Sequence, residues 1–173
     1  MQTNVHENIV VQFTRSLDGL KNILKKAREF AIERKFDENN LLQLRLSPDM
    51  FALVKQVQIA TDTAKGAVAR LSGKSAPVFA DNETTLNELL NRIDATIHFI
   101  QEFKASDFKD FQNAKISFPW YPGKFIMGED FLTSHAIPNF YFHLTTTYAL
   151  LRSNGVNLGK VDFLGSQNWQ KEV

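Results

Sequence analysis

Apolar residues recur at steps of three and four along most of this chain, and that regularity restricts it to helices packed against helices. From Ile9 the series Phe13, Leu17, Leu20, Leu24, Ala27 and Ala31 lays one stripe along a helix predicted from Val5 to Lys35. Asn4 and Glu7 have the spacing of a capping box at its start. Gly19 costs this helix about 1 kcal/mol relative to alanine, so tertiary contacts have to over-determine it. Leu41 to Leu46 reads as a short apolar connector. A second helix is predicted with Ser47 as N-cap, Pro48 as its first residue and Asp49 near the positive end of the dipole. It carries Val54, Val57, Ala64, Val68 and Leu71 inward and stops at Gly73. A third begins near Asp81 or Asn82 and runs to about Lys104, with Leu86, Leu89, Ile93, Ile97 and Ile100 inside. The fourth opens at 128–130 and stops before Asn154 and Gly155. Pro138 inside it lacks a backbone donor and clashes with the Ser134 carbonyl, which predicts a kink.

Between the third and fourth helices, Phe108 and Phe111 are placed to close the base of the core. Lys115 to Trp120 and Phe125 to Met127 flank Tyr121-Pro122-Gly123-Lys124, whose central proline and glycine are the residues of a type II turn. A small β-hairpin is predicted there. The tail from Val156 is expected to wrap the bundle and fray beyond Trp169. The fold class is therefore all-α: a four-helix bundle with a small hairpin between helices 3 and 4, one domain over residues 1–173.

Charge and composition narrow the partners. A formal net charge of +1 offers no field of one sign to attract nucleic acid or an anionic bilayer. The densest basic stretch, Lys25 to Lys35, is interrupted by Glu29 and Glu33 and reads as a solvated helix face. No cysteine is present, which removes disulfides, thiolate ligands and a cysteine nucleophile together. The first residues are polar rather than a signal-like apolar run, and no stretch reaches the roughly 20 apolar residues of a membrane span. A cytoplasmic location is expected, with neither nucleic acid nor membrane as partner.

Chemistry concentrates on the fourth helix. At about 100° per residue, His135, Asn139, Phe142 and Thr146 share one face, with His143 at its edge. Across from them, on the flank of helix 2, stand Gln58, Asp62 and Lys65. Their bland alternative is a boundary network in which Asp62 pairs with Lys65. The two helix 4 histidines cannot share one metal ion, because eight helical residues hold their Cα atoms about 12 Å apart. The useful i, i+4 position holds Asn139, a poor ligand, so His135 or His143 can contribute singly. His6 is expected to be exposed and His98 to sit at the edge of an apolar stripe. Trp120 and Tyr121 read as packing or interface residues. No phosphate-binding loop, His-Glu-x-x-His pair or nucleophile elbow occurs.

Five runs resemble a known family: Leu46-Ser47-Pro48-Asp49-Met50-Phe51, Gln56-Val57-Gln58-Ile59-Ala60, Ala64-Lys65-Gly66, Pro138-Asn139-Phe140-Tyr141-Phe142-His143, and Leu158-Gly159-Lys160-Val161-Asp162-Phe163-Leu164-Gly165. The chain resembles, from Val5 to Gly165, an uncharacterised bacterial domain-of-unknown-function family grouped with the DinB/YfiT-like four-helix bundles. The resemblance implies a DinB-like bundle, often a homodimer. Many such relatives hold a divalent ion through three histidines, one on the second helix and a His-x-x-x-His pair on a later one; some are thiol-dependent transferases, isomerases or hydrolases. This sequence departs from the pattern with Gln56 or Gln58 on helix 2 and Asn139 in the later pair. A divalent metal stays open as cofactor, with its histidine set incomplete.

The leading expectation is a small-molecule pocket between helices 2 and 4, in a protein that is or is not an enzyme. His135, His143 and Asp62 are the acid–base or orienting candidates; Gln58, Asn139 and Tyr141 are the ligand contacts. The alternative is a non-catalytic structural or interaction protein, homodimeric through its aromatic surplus, in which Asn139 and His143 satisfy buried hydrogen bonds.

Overall fold

The structure is a computed structural model and describes residues 4–171; the remaining ends of the expected 1–173 domain lie outside the described residues. Helix α1 (Gln12–Arg34) continues without a break from a π-helical segment, His6–Val11. Asn4 Oδ1 accepts the Glu7 backbone N–H at 3.1 Å, so half of the expected capping box forms. The apolar stripe from Ile9 through Ala31 is buried as its spacing requires.

Helix α2 (Leu53–Ser72) starts later than its sequence signals suggest. Ser47 Oγ donates to Asp49 Oδ1 at 2.6 Å, and the Met50 amide to the Ser47 carbonyl at 3.0 Å. The Ser-Pro-Asp signal thus closes a turn on itself, and the helix opens only after extended Ala52. Gly73 ends it in the left-handed conformation, φ 72°. Helix α3 (Leu86–Gln101) also begins after the expected Asp81 or Asn82, because Thr85 and Glu88 form a reciprocal capping box there.

The fourth rod is built from three pieces in sequence: a helical turn at Gly128–Asp130, a π-helical segment Phe131–Ala136, and helix α4 (Ile137–Ser153). Pro138 is the second residue of α4. The break that its missing N–H demands is met by a change of hydrogen-bond pattern immediately upstream. The hairpin is smaller than expected. Strands β1 (Lys115–Ile116) and β2 (Ile126–Met127) pair antiparallel with Lys115 opposite Met127. Between them the Lys124 amide donates to the Tyr121 carbonyl at 3.1 Å around Gly123, φ 74°, as a type II turn requires.

The helices form a ring in which α2 lies between α3 and α4, and α1 closes the other side against the same two. Contacts fix the directions. Lys74 meets Asp107 at one end of α2 and α3, and Lys55 meets Asp81 at the other, so these helices run parallel. The His6 ring bonds the Phe103 carbonyl at 3.1 Å, which sets α1 antiparallel to α3 and half-buries a histidine expected to be exposed. Gln56 meets His143 and Thr63 meets Asn139, so α4 runs antiparallel to α2. The order is up, down, down, up, and the segment 73–85 travels the length of the bundle. The stacked Phe13 and Phe140 rings, 4.0 Å between centroids, join α1 to α4 in the core.

A short helix, α5 (Lys160–Leu164), completes the chain. Asp162 caps it through the Gly159 amide at 2.8 Å and bridges to Lys26 at 2.6 Å. Its backbone rests on Gly19 of α1: a Cβ there would stand 3.2 Å from the Asp162 carbonyl oxygen and 3.3 Å from that of Phe163. The helix-weakening glycine is the dock for the tail. Among the described residues, no helix is long and apolar enough to cross a membrane.

Candidate functional site

Helices α2 and α4 run antiparallel, and two side-chain hydrogen bonds cross their seam, Gln56 to His143 and Thr63 to Asn139. Gln56, Thr63 and Arg70 form the row on α2; His143, Asn139 and His135 form the opposing row, the last of them in the π-helical segment. A cleft of about 410 Å³ opens along this seam, walled by Phe51, Phe118, Trp120 and Phe131 and bordered by Asp62.

His143 is 7% exposed and its Nδ1 lies 2.7 Å from Gln56 Oε1. The Gln56 carboxamide nitrogen already donates to the Phe51 carbonyl at 2.9 Å, so its oxygen can only accept. His143 therefore carries its proton on Nδ1 and presents a bare Nε2 lone pair. Nε2 has no protein partner and is not sealed in: among the described residues, Thr14 Oγ1 is the fully buried side-chain polar atom left without a bond. Burial pushes the imidazole down to about 4, so it is neutral at physiological pH.

Asn139 donates to Thr63 Oγ1 at 2.8 Å, which leaves its Oδ1 free to accept. His135 stacks on Phe131 at 5.5 Å and leans against Phe118 at 5.0 Å. Burial, and then the Arg70 charge, lower its pKa. Arg70 lies over the Phe118 ring at 5.3 Å and folds back along its own helix, where a Cβ on Gly66 would overlap its Nη1. Only glycine leaves that seat open.

Asp62 reaches the rim but belongs to a second cluster. Its Oδ1 accepts from Arg92 at 2.7 Å and from Lys65 at 2.8 Å. The expected Asp62–Lys65 pair forms, while the orienting role assigned to Asp62 is taken by Gln56. Gln58 is directed away from the cleft, donating to Glu83 at 2.7 Å, because its position on α2 faces α3. Tyr141 is likewise outside it: its hydroxyl meets Ser16 of α1 at 3.3 Å and its ring packs edge-on against Phe13. Phe142, expected on the chemical face, is 55% exposed, and His143 takes the inward place. The π-helical turn before α4 breaks the 100° projection on which that face was drawn. His98 is exposed beside Glu102. Thr63 and Arg70 carried no individual signal in the sequence; the heptad line through Gln56 is what marks them.

The donor set does not fit a three-histidine metal centre. The second-helix position is Gln56, a neutral amide already bonded on both its atoms, and the later pair is Asn139 with His143. Among the described residues, no three His, Cys, Asp or Glu side chains gather closely enough to hold an ion.

A family model described as a domain of unknown function (DUF1993) matches residues 5–164. The chain is similar to a crystal structure of a DinB family member protein from Shewanella denitrificans, with 45% sequence identity and a TM-score of 0.93. The match covers 96% of this chain and 95% of that one. No curated protein matches the sequence.

Proposed function

The chain belongs to the DUF1993 family of DinB-like four-helix bundles, and on that premise we propose that it binds a small molecule in the cleft between α2 and α4. His143 Nε2 and Asn139 Oδ1 are the acceptors that orient the ligand. The carrying observation is the Gln56–His143 hydrogen bond, which fixes the proton on Nδ1 and leaves Nε2 bare on the cleft wall. Polar groups at such depth ordinarily find partners inside the protein. An acceptor clamped by one partner and left open at its other end is arranged for something outside the chain. With its pKa near 4, His143 is a weak base at neutral pH, whereas acid–base catalysis favours a group titrating near the working pH. Ligand binding is therefore the stronger reading for His143, and half-exposed His135 is the better placed of the two for proton transfer.

A second, structural reading is favoured by one fact: Asn139 and His143 also tie α4 to α2 through Thr63 and Gln56. Replacing the pair together, Gln56→Leu with His143→Leu, separates the two. If the pair serves a ligand, the double variant is as stable as the native protein or more so in urea, since hydrocarbon replaces a buried polar contact. If the pair is structural, it loses on the order of 1–3 kcal/mol. The binding reading also requires that a screen of small polar fragments, followed by ¹⁵N NMR, yields at least one that moves both the Asn139 side-chain amide and the His143 ring. A screen with no such fragment sinks it.

A further inference from the structure

We propose that the occupant of this cleft is a planar organic anion, a one- or two-ring aryl carboxylate whose carboxylate seats on Arg70. The inference rests on the small-molecule reading above and deepens it by naming the ligand's charge and shape.

The charge follows from bookkeeping around the cleft. Asp62, Asp81 and Glu83 stand against Lys55, Lys65 and Arg92, three of each sign, joined by contacts of 2.7–2.8 Å. That network is closed. Arg70 lies outside it and, among the described residues, makes no ion pair and no hydrogen bond. It feels the Asp62 charge at the rim but, among the described residues, is the charged side chain of the cleft with no bonded partner, and an anion from outside would supply one.

The guanidinium lies between the Phe118 ring and the bare backbone at Gly66, a space that any other residue at 66 would fill with its Cβ. Arg70 is exposed and, among the described residues, its fork is free of protein partners, so it can meet a carboxylate in bidentate fashion while it lies over the Phe118 ring.

The shape follows from the walls. Trp120 stacks on Phe118 with 4.7 Å between centroids, and Phe118 in turn lies against His135 and Phe131. Trp120 and Phe51 stand at the cleft more than half exposed, an arrangement the fold's own core does not require. Flat aromatic faces beside an unpaired guanidinium favour a flat, apolar body with a carboxylate at one end. A volume of about 410 Å³ accommodates one or two rings. The open acceptors on Asn139 and His143 favour a hydroxyl on the end remote from the carboxylate.

The test compares 6-hydroxy-2-naphthoate with its carboxamide, titrated into ¹⁵N-labelled full-length protein. The Trp120 indole N–H and the Asn139 side-chain amide report the cleft. The carboxylate is expected to bind at least ten times more tightly than the amide. Arg70→Gln should abolish that preference, and Gly66→Ala, which keeps the charge and displaces it, should reduce it several-fold; circular dichroism melts verify that both variants fold. Equal binding of carboxylate and amide overturns the anion assignment and leaves the binding reading standing. If neither naphthyl probe moves the reporters while some fragment of the polar screen does, the aryl-anion assignment falls alone. If nothing moves them, both fall. A carboxylate preference unchanged in Arg70→Gln would also overturn the assignment.

Discussion

The side chain with the most at stake is His143, because its neutral form is built into the fold. Gln56 accepts from Nδ1–H, and burial pushes the imidazole down to about 4. An unfolded chain carries the same residue near 6.5. Between those values the unfolded state binds a proton that the folded state refuses, so stability stands at its plateau above pH 6.5, falls as pH drops, and levels off again below 4. At about 1.36 kcal/mol per unit, the loss from this one residue is about 3 kcal/mol. His143→Gln removes the titration. Urea unfolding at pH 7 and pH 4 should give a drop about 3 kcal/mol smaller in the variant than in the native protein. Equal drops would mean that His143 titrates as a free imidazole. The sequence marks residue 143 as a candidate and cannot supply its partner. Gln56 and Gln58 lie two residues apart with the same side chain, and only the rotation of α2 decides that one faces α4 and the other α3.

At the scale of elements, the periodic stripes of the helices were legible and several of their starts were not. The misplaced starts share one cause. Ser47, Asp49 and Asp81 are residues that begin helices, but each of them binds locally or to Lys55 and Arg92 instead. A short polar side chain offers the same hydrogen bond to a turn as to a helix end, and only tertiary partners choose between them. Gly19 is the reverse case, a local weakness whose reason lies at the far end of the chain. Alanine at 19 should strengthen α1 by about 1 kcal/mol on propensity alone. Its Cβ, however, meets two carbonyl oxygens of α5 at 3.2–3.3 Å, backbone that cannot rotate away. In the native background Gly19→Ala is therefore expected to be neutral or destabilising. With α5 loosened by Asp162→Ala and Phe163→Ala, which remove its cap and its packing on Tyr148, the same change should stabilise the protein. Thermal melts of the four proteins decide it, and a Gly19→Ala effect of the same sign in both backgrounds would refute the docking account.

At the scale of the whole molecule, composition and periodicity identify four helices without ordering them. Whether α2 and α3 run parallel or antiparallel depends on where the segment 73–85 goes, and nothing periodic lies in that segment. Its course is set by one buried residue. Arg92, 2% exposed on α3, holds Asp81 and Glu83 of the crossing segment at 2.8 Å each, and on α2 holds Asp62 and Thr61 at 2.7 Å each. Phe79 packs its ring beneath the same guanidinium at 4.7 Å. Burial by itself would raise the Glu83 carboxyl, yet the hydrogen bonds it receives, led by that from Arg92, hold it below its usual value. Deleting the cation leaves Asp81 and Glu83 without their shared centre in a partly closed site. Removal of one partner from a buried ionic cluster costs about 3–5 kcal/mol. Arg92→Met is expected to lie in that range by urea unfolding, and Arg92→Lys should recover little, since one ammonium cannot reach partners distributed around a planar fork. Asp62→Asn should cost far less, its side chain being 38% exposed. Amide exchange should separate this from a general weakening: in Arg92→Met the α2–α3 side loses protection first, while α1, docked to α5 and to Phe140 of α4, keeps it. Uniform loss across all four helices would mean that Arg92 merely fills space, and that the parallel pairing is fixed by the apolar seams alone.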